Sequence, residues 1–213
     1  MKAPSINRNS LWFILSITLN ALGNSFMVIS NSGSAPWTSA AENLVYILPF
    51  SIGGCIVIVY SLSFLFSYML KIKPGVGLIV KSMGLAAVFG LFIDLFLYIH
   101  QLVYVPDAIW ARYLYLFIGL NLIAIAICIY FQSSSVYLPS DYLLKAFGKV
   151  FNNYTLASIL ATAIPLSIGV IIILFRNEIV GIGPGTLLFM FGMGFLIDQY
   201  NRWIVIRRET GTA

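Results

Sequence analysis

Charge is what this chain has least of. Only 9% of its 213 residues are charged, where a soluble domain carries roughly 25%. Histidine occurs once, as His100, so a proton relay or a metal site built on imidazoles lacks parts. Cys55 and Cys128 are the only cysteines, and both fall inside apolar runs with no second ligand at metal spacing. They read as small packing residues, and neither zinc nor redox chemistry follows from them. The sequence carries no Ser–His, zinc or nucleotide-binding pattern. The expectation is a protein that is not an enzyme and holds no metal and no cofactor.

What the chain has in excess is apolar: 60% of its residues are hydrophobic. A run of about 20 such residues crosses a bilayer as a helix. Six runs qualify, at 11–30, 51–70, 78–100, 108–131, 155–175 and 186–206. The first follows a basic start and ends in small residues, Ala21 and Gly23, in the manner of a secretion signal. An uncleaved anchor is expected instead, because this segment has a partner in the second half of the chain.

Two links are too long for plain loops. "SGSAPWTSAAENLVYILPF" joins the first two runs and "SSSVYLPSDYLLKAFGKVFNN" joins the fourth and fifth. Each starts with small polar residues and a proline, then becomes amphipathic. Pro36 and Pro139 suit the first turn of a helix, where the missing N–H costs nothing. A short helix is expected after each proline, interfacial or re-entrant.

The charges that exist are placed by side. There are 12 Lys and Arg against 7 Asp and Glu. With the N-terminus inside, Lys2, Arg8, Lys71, Lys73, Lys81, Lys145, Lys149, Arg202, Arg207 and Arg208 fall on the cytoplasmic side, and only Arg112 and Arg176 fall outside. This is the asymmetry that orients membrane proteins, so the basic excess points to a bilayer and not to nucleic acid. A bacterial plasma-membrane protein with both termini cytoplasmic is expected.

The halves also resemble each other. A shift of 104 residues lays Gly77 on Gly181, Gly90 on Gly194, Ile93 on Ile197 and Asp94 on Asp198; Pro36 meets Pro139 with a gap of one residue. A duplicated unit with an odd number of spans enters the membrane in opposite directions. The fold expected is therefore an all-α polytopic membrane protein, one membrane domain over residues 1–213. Its six transmembrane helices form a 3+3 inverted repeat, 11–100 and 108–206, each half with a short amphipathic helix after its first span.

Candidate site residues follow from polarity in the wrong place. A carboxylate in a span costs about 2.5–3.5 kcal/mol and usually faces the bundle interior. Asp198 has Arg202 one turn away, which suits a structural ion pair, although the acid also remains a substrate or ion contact. Asp94 has only Tyr98 at that spacing, so it is the stronger binding candidate. Ser16, Asn20 and Asn24 form a stripe at four-residue spacing, while the second half reads Gly119, Ile123 and Ile127 there. Polar residues that break the repeat are candidates for lining a site, against the alternative of helix–helix adhesion. Trp37 offers a flat apolar surface and Glu42 is the sole acid of the first short helix. Two membrane aspartates also suggest an intramembrane aspartyl protease, but "GMGFLID" sets the acid four residues past its second glycine, outside the Gly-x-Gly-Asp pattern.

"GNSFMVISNSGSAPWTSAAENL" and "GIGPGTLLFMFGMGFLID" resemble segments of the YczE/YyaS/YitT-type bacterial integral membrane proteins. There a first span leads into a Gly-Pro-Trp-Asp-like turn, and a glycine-rich start leads into a span ending Gly-x-x-Ile-Asp. Ala35 stands where Gly is usual and Thr38 where Asp is usual, so no role of that acid carries over. Asp141, two residues after Pro139, has the acid in the second copy. The resemblance implies a six-span bacterial membrane protein of the kind suspected of transport, and no substrate.

Two functions stand against each other. One is a small-molecule transporter or the substrate-binding membrane subunit of one, as a homodimer or with an ATPase module like the capture subunits of energy-coupling-factor vitamin transporters. The other is a non-transporting membrane regulator or scaffold. A bound small molecule and a copurifying ATPase separate the two.

Overall fold

A computed structural model describes residues 8–134 and 136–206. Lys2, Arg207 and Arg208, which enter the charge asymmetry, lie outside the described residues. The described chain is helical, in the order α1 (Arg8–Ser30), α2 (Pro36–Leu44), α3 (Ile52–Met69), α4 (Val76–Val103), α5 (Ile109–Ser133), α6 (Pro139–Phe151), α7 (Tyr154–Arg176) and α8 (Pro184–Asn201). Pro36, Pro139 and Pro184 each open a helix. Side chains cap two of the starts: Ser51 Oγ accepts from Gly54 N–H at 3.1 Å and Asn153 Oδ1 from Leu156 N–H at 3.0 Å. At the other ends Asn152 and Asn177 stop α6 and α7 in the left-handed conformation, which Asn tolerates better than most residues.

Among the described residues, five helices are long and apolar enough to cross a membrane: those within 9–29, 52–69, 76–103, 109–133 and 156–176. The run expected to span 186–206 differs. α8 stops at Asn201 after 18 residues, and Asp198, Gln199 and Asn201 put polar groups in its last turn, which makes it less apolar than the other five. Large residues on the outer faces are apolar, such as Val80, Leu91, Leu174, Phe175 and Phe191. That is the surface a lipid environment requires, and a helix suits it because it closes its interior backbone hydrogen bonds within itself.

The centre of the fold is the pair α1 and α5. They run antiparallel, as the contacts show: Phe13 faces Tyr130, while Phe26 faces Tyr115. Gly23 and Gly119 let the two backbones touch, and a Cβ on Gly119 would come within 2.7 Å of the Gly23 carbonyl. α4 packs on α1 and α3, α8 packs on α5, and each short helix lies between α3 and α7. The short helices start deeper than the long ones end. α1 ends at Ser30, yet Thr38 of α2 donates to Asn24 Oδ1 at 2.6 Å. α5 ends at Ser133, yet Asp141 of α6 accepts from Tyr130 Oη at 2.9 Å. The chain doubles back at both places, and the N-termini of α2 and α6 point toward the interior.

Candidate functional site

The two inward-pointing helix starts face a cavity of about 200 Å3. α1 contributes Asn20 and Asn24, α2 Trp37 and Thr38, α6 Asp141, and α8 Met193. The asparagines are held in a fixed pose. Asn24 Nδ2 donates to the Asn20 carbonyl and to Asn20 Oδ1, both at 2.9 Å, while its own Oδ1 takes the Thr38 hydroxyl. Pairing of this kind lets buried amides keep an apolar setting without unpaired groups. Ser16, third member of the stripe, does not reach the cavity. It is buried and donates to the Phe13 carbonyl of its own helix at 2.7 Å.

Asp141 is the acid of the cavity. Leu138 N–H donates to Tyr130 Oη at 2.6 Å, and Tyr130 in turn donates to Asp141. Lys145, one turn further along α6, sets its Nζ 3.4 Å from the centre of the Tyr137 ring. Burial pushes the Asp141 carboxyl up to about 6, against the pull of Tyr130 and Lys145. This residue was visible in the sequence only as the acid two positions after Pro139. Aspartate in a first helical turn ordinarily reads as a partner of the helix dipole, and nothing local shows that the turn is buried.

The other expected residues lie elsewhere. Glu42 is buried at the far end of α2, where Ser34 Oγ donates to it. Its carboxyl packs on Gly181 at the α7–α8 turn. Gly181 has φ +69, and a Cβ there would approach Glu42 Oε1 to 3.1 Å. Asn43 Nδ2 donates to the Val180 carbonyl and Ser34 N–H to the Gly181 carbonyl, each at 2.9 Å. So α2 clasps the turn, and burial pushes Glu42 up to about 7.

Asp94 and Asp198 are far from equivalent. Asp94 closes the start of α3: its Oδ1 accepts from Gly53 N–H at 2.8 Å and its Oδ2 from Ser51 Oγ at 2.6 Å. Asp198 pairs with Arg202 at 2.9 Å, with both side chains about two-thirds exposed, 68% and 66%. Neither acid lines the cavity. The site therefore unites Asn20, Asn24 and Trp37 with Asp141, and leaves out Ser16, Glu42, Asp94 and Asp198.

Comparison with curated proteins and with solved structures returns no match. Over residues 7–202 the sequence fits the family of unknown function DUF6198, and the chain belongs to that family.

Proposed function

We propose that the protein is a six-span carrier of a small molecule in the bacterial plasma membrane, or the substrate-capturing membrane subunit of such a carrier. Its role is binding and passage, without a chemical step. The observation that carries this reading is the cavity, which sets asparagines and an aspartate in a mainly apolar wall and is lined from both halves of the chain. Binding sites of transporters built from inverted repeats lie at the interface of the repeats, next to discontinuous or short helices whose N-termini aim at the ligand.

The packing supports the inverted arrangement. Exchanging α1–α4 for α5–α8 carries the α2–α3 contact onto α6–α7, α2–α7 onto α6–α3, and α4–α1 onto α8–α5, with the antiparallel α1–α5 pair lying across the axis. In this arrangement α8 is the sixth span, and both termini are cytoplasmic. The resemblance to YczE/YyaS/YitT-type proteins is part of the same proposal, as is assembly with a second copy or an ATPase module.

Native mass spectrometry of the detergent-purified protein tests it. A small molecule retained from the cell, or captured from a metabolite extract, is expected. A chain that stays empty in both conditions defeats the reading. Orientation is tested separately: Val105→Cys, in the α4–α5 link, should label from outside the cell.

A further inference from the structure

The cavity has a charge preference built into its wall. Among the described residues, Asp141 is its only carboxylic acid, and no Lys, Arg or His lines it. α1 offers amides, α7 the hydroxyls of Ser158 and Thr162, and α8 a thioether in Met193. Two tyrosines, Tyr60 of α3 and Tyr130 of α5, and the hydroxyls of Thr38 and Ser140 add further polar groups to the wall. The nearest cation in sequence, Lys145, is spent on the Tyr137 ring and makes no ion pair among the described residues. Lys145 lowers the Asp141 carboxyl from a distance, but a buried carboxylate without a counter-ion in direct contact is costly, and an incoming cation in contact with it removes that cost.

The rest of the wall fits an organic cation better than a bare metal ion. Trp37 and Tyr60 stand 5.4 Å apart with their rings tilted, and the faces of such rings attract alkylammonium groups. Apolar area predominates, whereas a hard metal ion asks for several oxygens at once. An apolar cavity of 150 Å3 accepts benzene, so about 200 Å3 suits on the order of eight non-hydrogen atoms. The first turn of α2 faces the same space and carries no acid, so its positive end favours a hydrogen-bond acceptor at the ligand's other end.

We infer that the cavity takes a small organic ammonium compound bearing a hydroxyl or similar acceptor, with its cationic head on Asp141 and its body between Trp37, Tyr60 and Met193. This rests on the carrier reading and adds the chemical class of the cargo. At neutral pH Asp141, pushed up to about 6, is still mainly ionised and able to pair.

Three probes of one shape separate charge from fit: choline, neopentylcarbinol, in which carbon replaces the nitrogen, and the anion tert-butylacetate. Their binding to the detergent-purified full chain is measured by isothermal titration calorimetry. Choline is expected to bind roughly tenfold or more tighter than neopentylcarbinol, the ratio a single charge contact supplies, with tert-butylacetate weakest. Asp141→Asn should bring choline down to the level of the neutral probe. Equal or tighter binding of neopentylcarbinol, or of tert-butylacetate, overturns the ammonium assignment while leaving the cavity a binding site. If none of the three binds, the cavity reading falls with it. The wild-type ranking decides the matter even if Asp141→Asn does not fold.

Discussion

Two helix pairs in this chain share a sequence pattern and differ in how they are joined. In α3–α4, Gly53 and Gly90 bring the backbones into contact, and a Cβ on Gly90 would lie 2.5 Å from the Gly53 carbonyl. Asp94 then crosses from α4 to hold the first turn of α3. At the matching positions of α7–α8 stand Ala157, Gly194 and Asp198. A Cβ on Gly194 would meet nothing within 4 Å, and Asp198 bonds within its own helix. Among the described residues α7 and α8 do not pack along each other; Gly194 lines the cavity instead. The second pair is held at its turn, by α2 through Glu42, Asn43 and Ser34. One joint is closed by its own side chains and the other is kept open by a clasp at its tip. The lesson is that a Gly-x-x-x-Asp pattern licenses close helix contact without causing it. The contact needs a second glycine and free backbone donors on the opposite helix, which Gly53 supplies and Ala157 does not.

The largest expected effect comes from filling the closed joint. Gly90→Ala places a methyl group against backbone that has no rotamer to escape by, and overpacking of this kind costs about 1–3 kcal/mol or more. Monodisperse yield on size exclusion should collapse. Gly194→Ala enters open space and should leave the melting temperature within the scatter of a surface change, about 0.5 kcal/mol. Equal sensitivity at the two glycines would mean that the joints are alike.

The clasp gives the second effect, through pH. Glu42 has its folded pKa raised from 4.5 to about 7. The folded state therefore binds more protons than the unfolded state across that window, so stability falls as pH rises through it. The full swing is about 3 kcal/mol at 1.36 kcal/mol per pH unit. Thermal melting should be higher at the acidic end of the window than above it. Glu42→Gln should flatten this dependence and hold the stability of the acidic form. A wild-type profile already flat over that range would show that Glu42 does not titrate in the clasp.

Asp94 and Asp198 separate the joints more finely. Asp94→Ala leaves Gly53 N–H and the Ser51 hydroxyl without their acceptor, a loss of roughly 1–3 kcal/mol. Asp198→Ala breaks an exposed pair worth about 0–1 kcal/mol. The ratio of the two losses, read from thermal melts, is the measurement. A larger loss at Asp198 would place the structural burden on the Arg202 pair, as its spacing in the sequence suggests.

The sequence shows its architecture through quantities that are local. Hydropathy over a window finds the long helices, and proline after a polar stretch finds the starts of α2 and α6. The last run ends earlier than expected, at Asn201 and not at 206, since a window that averages Asp198, Gln199 and Asn201 with "FLI" hides the point where the helix stops. The site is less legible because its geometry is made by distant residues. Asn20 and Asn24 declare themselves by breaking the repeat, and Trp37 by its place in the turn. Asp141 reads as a helix-capping acid until Tyr130, eleven residues earlier, shows the turn to be inside. Asp94 looks unpartnered because its partners, Ser51 and Gly53, are 43 and 41 residues away.

The smallest expected effect tests whether the polar stripe of α1 is one feature or two. Spacing alone joins Ser16 to Asn20 and Asn24, and the second half replaces all three by Gly119, Ile123 and Ile127. The bonds divide them. Asn24 ties α1 to α2 through Thr38, so Asn24→Ala orphans a buried hydroxyl and an amide, at roughly 1–3 kcal/mol, and also changes the cavity wall. Ser16 bonds only back to Phe13, a carbonyl already served by the helix ladder, and such back-bonds are neutral or slightly unfavourable to the helix. Ser16→Ala should shift melting by less than about 0.5 kcal/mol and leave choline affinity unchanged. A change in affinity without a change in melting would place Ser16 in the path of the ligand. Matching losses at Ser16 and Asn24 would restore the stripe as a single element and weaken the contrast between a polar first half and an apolar second.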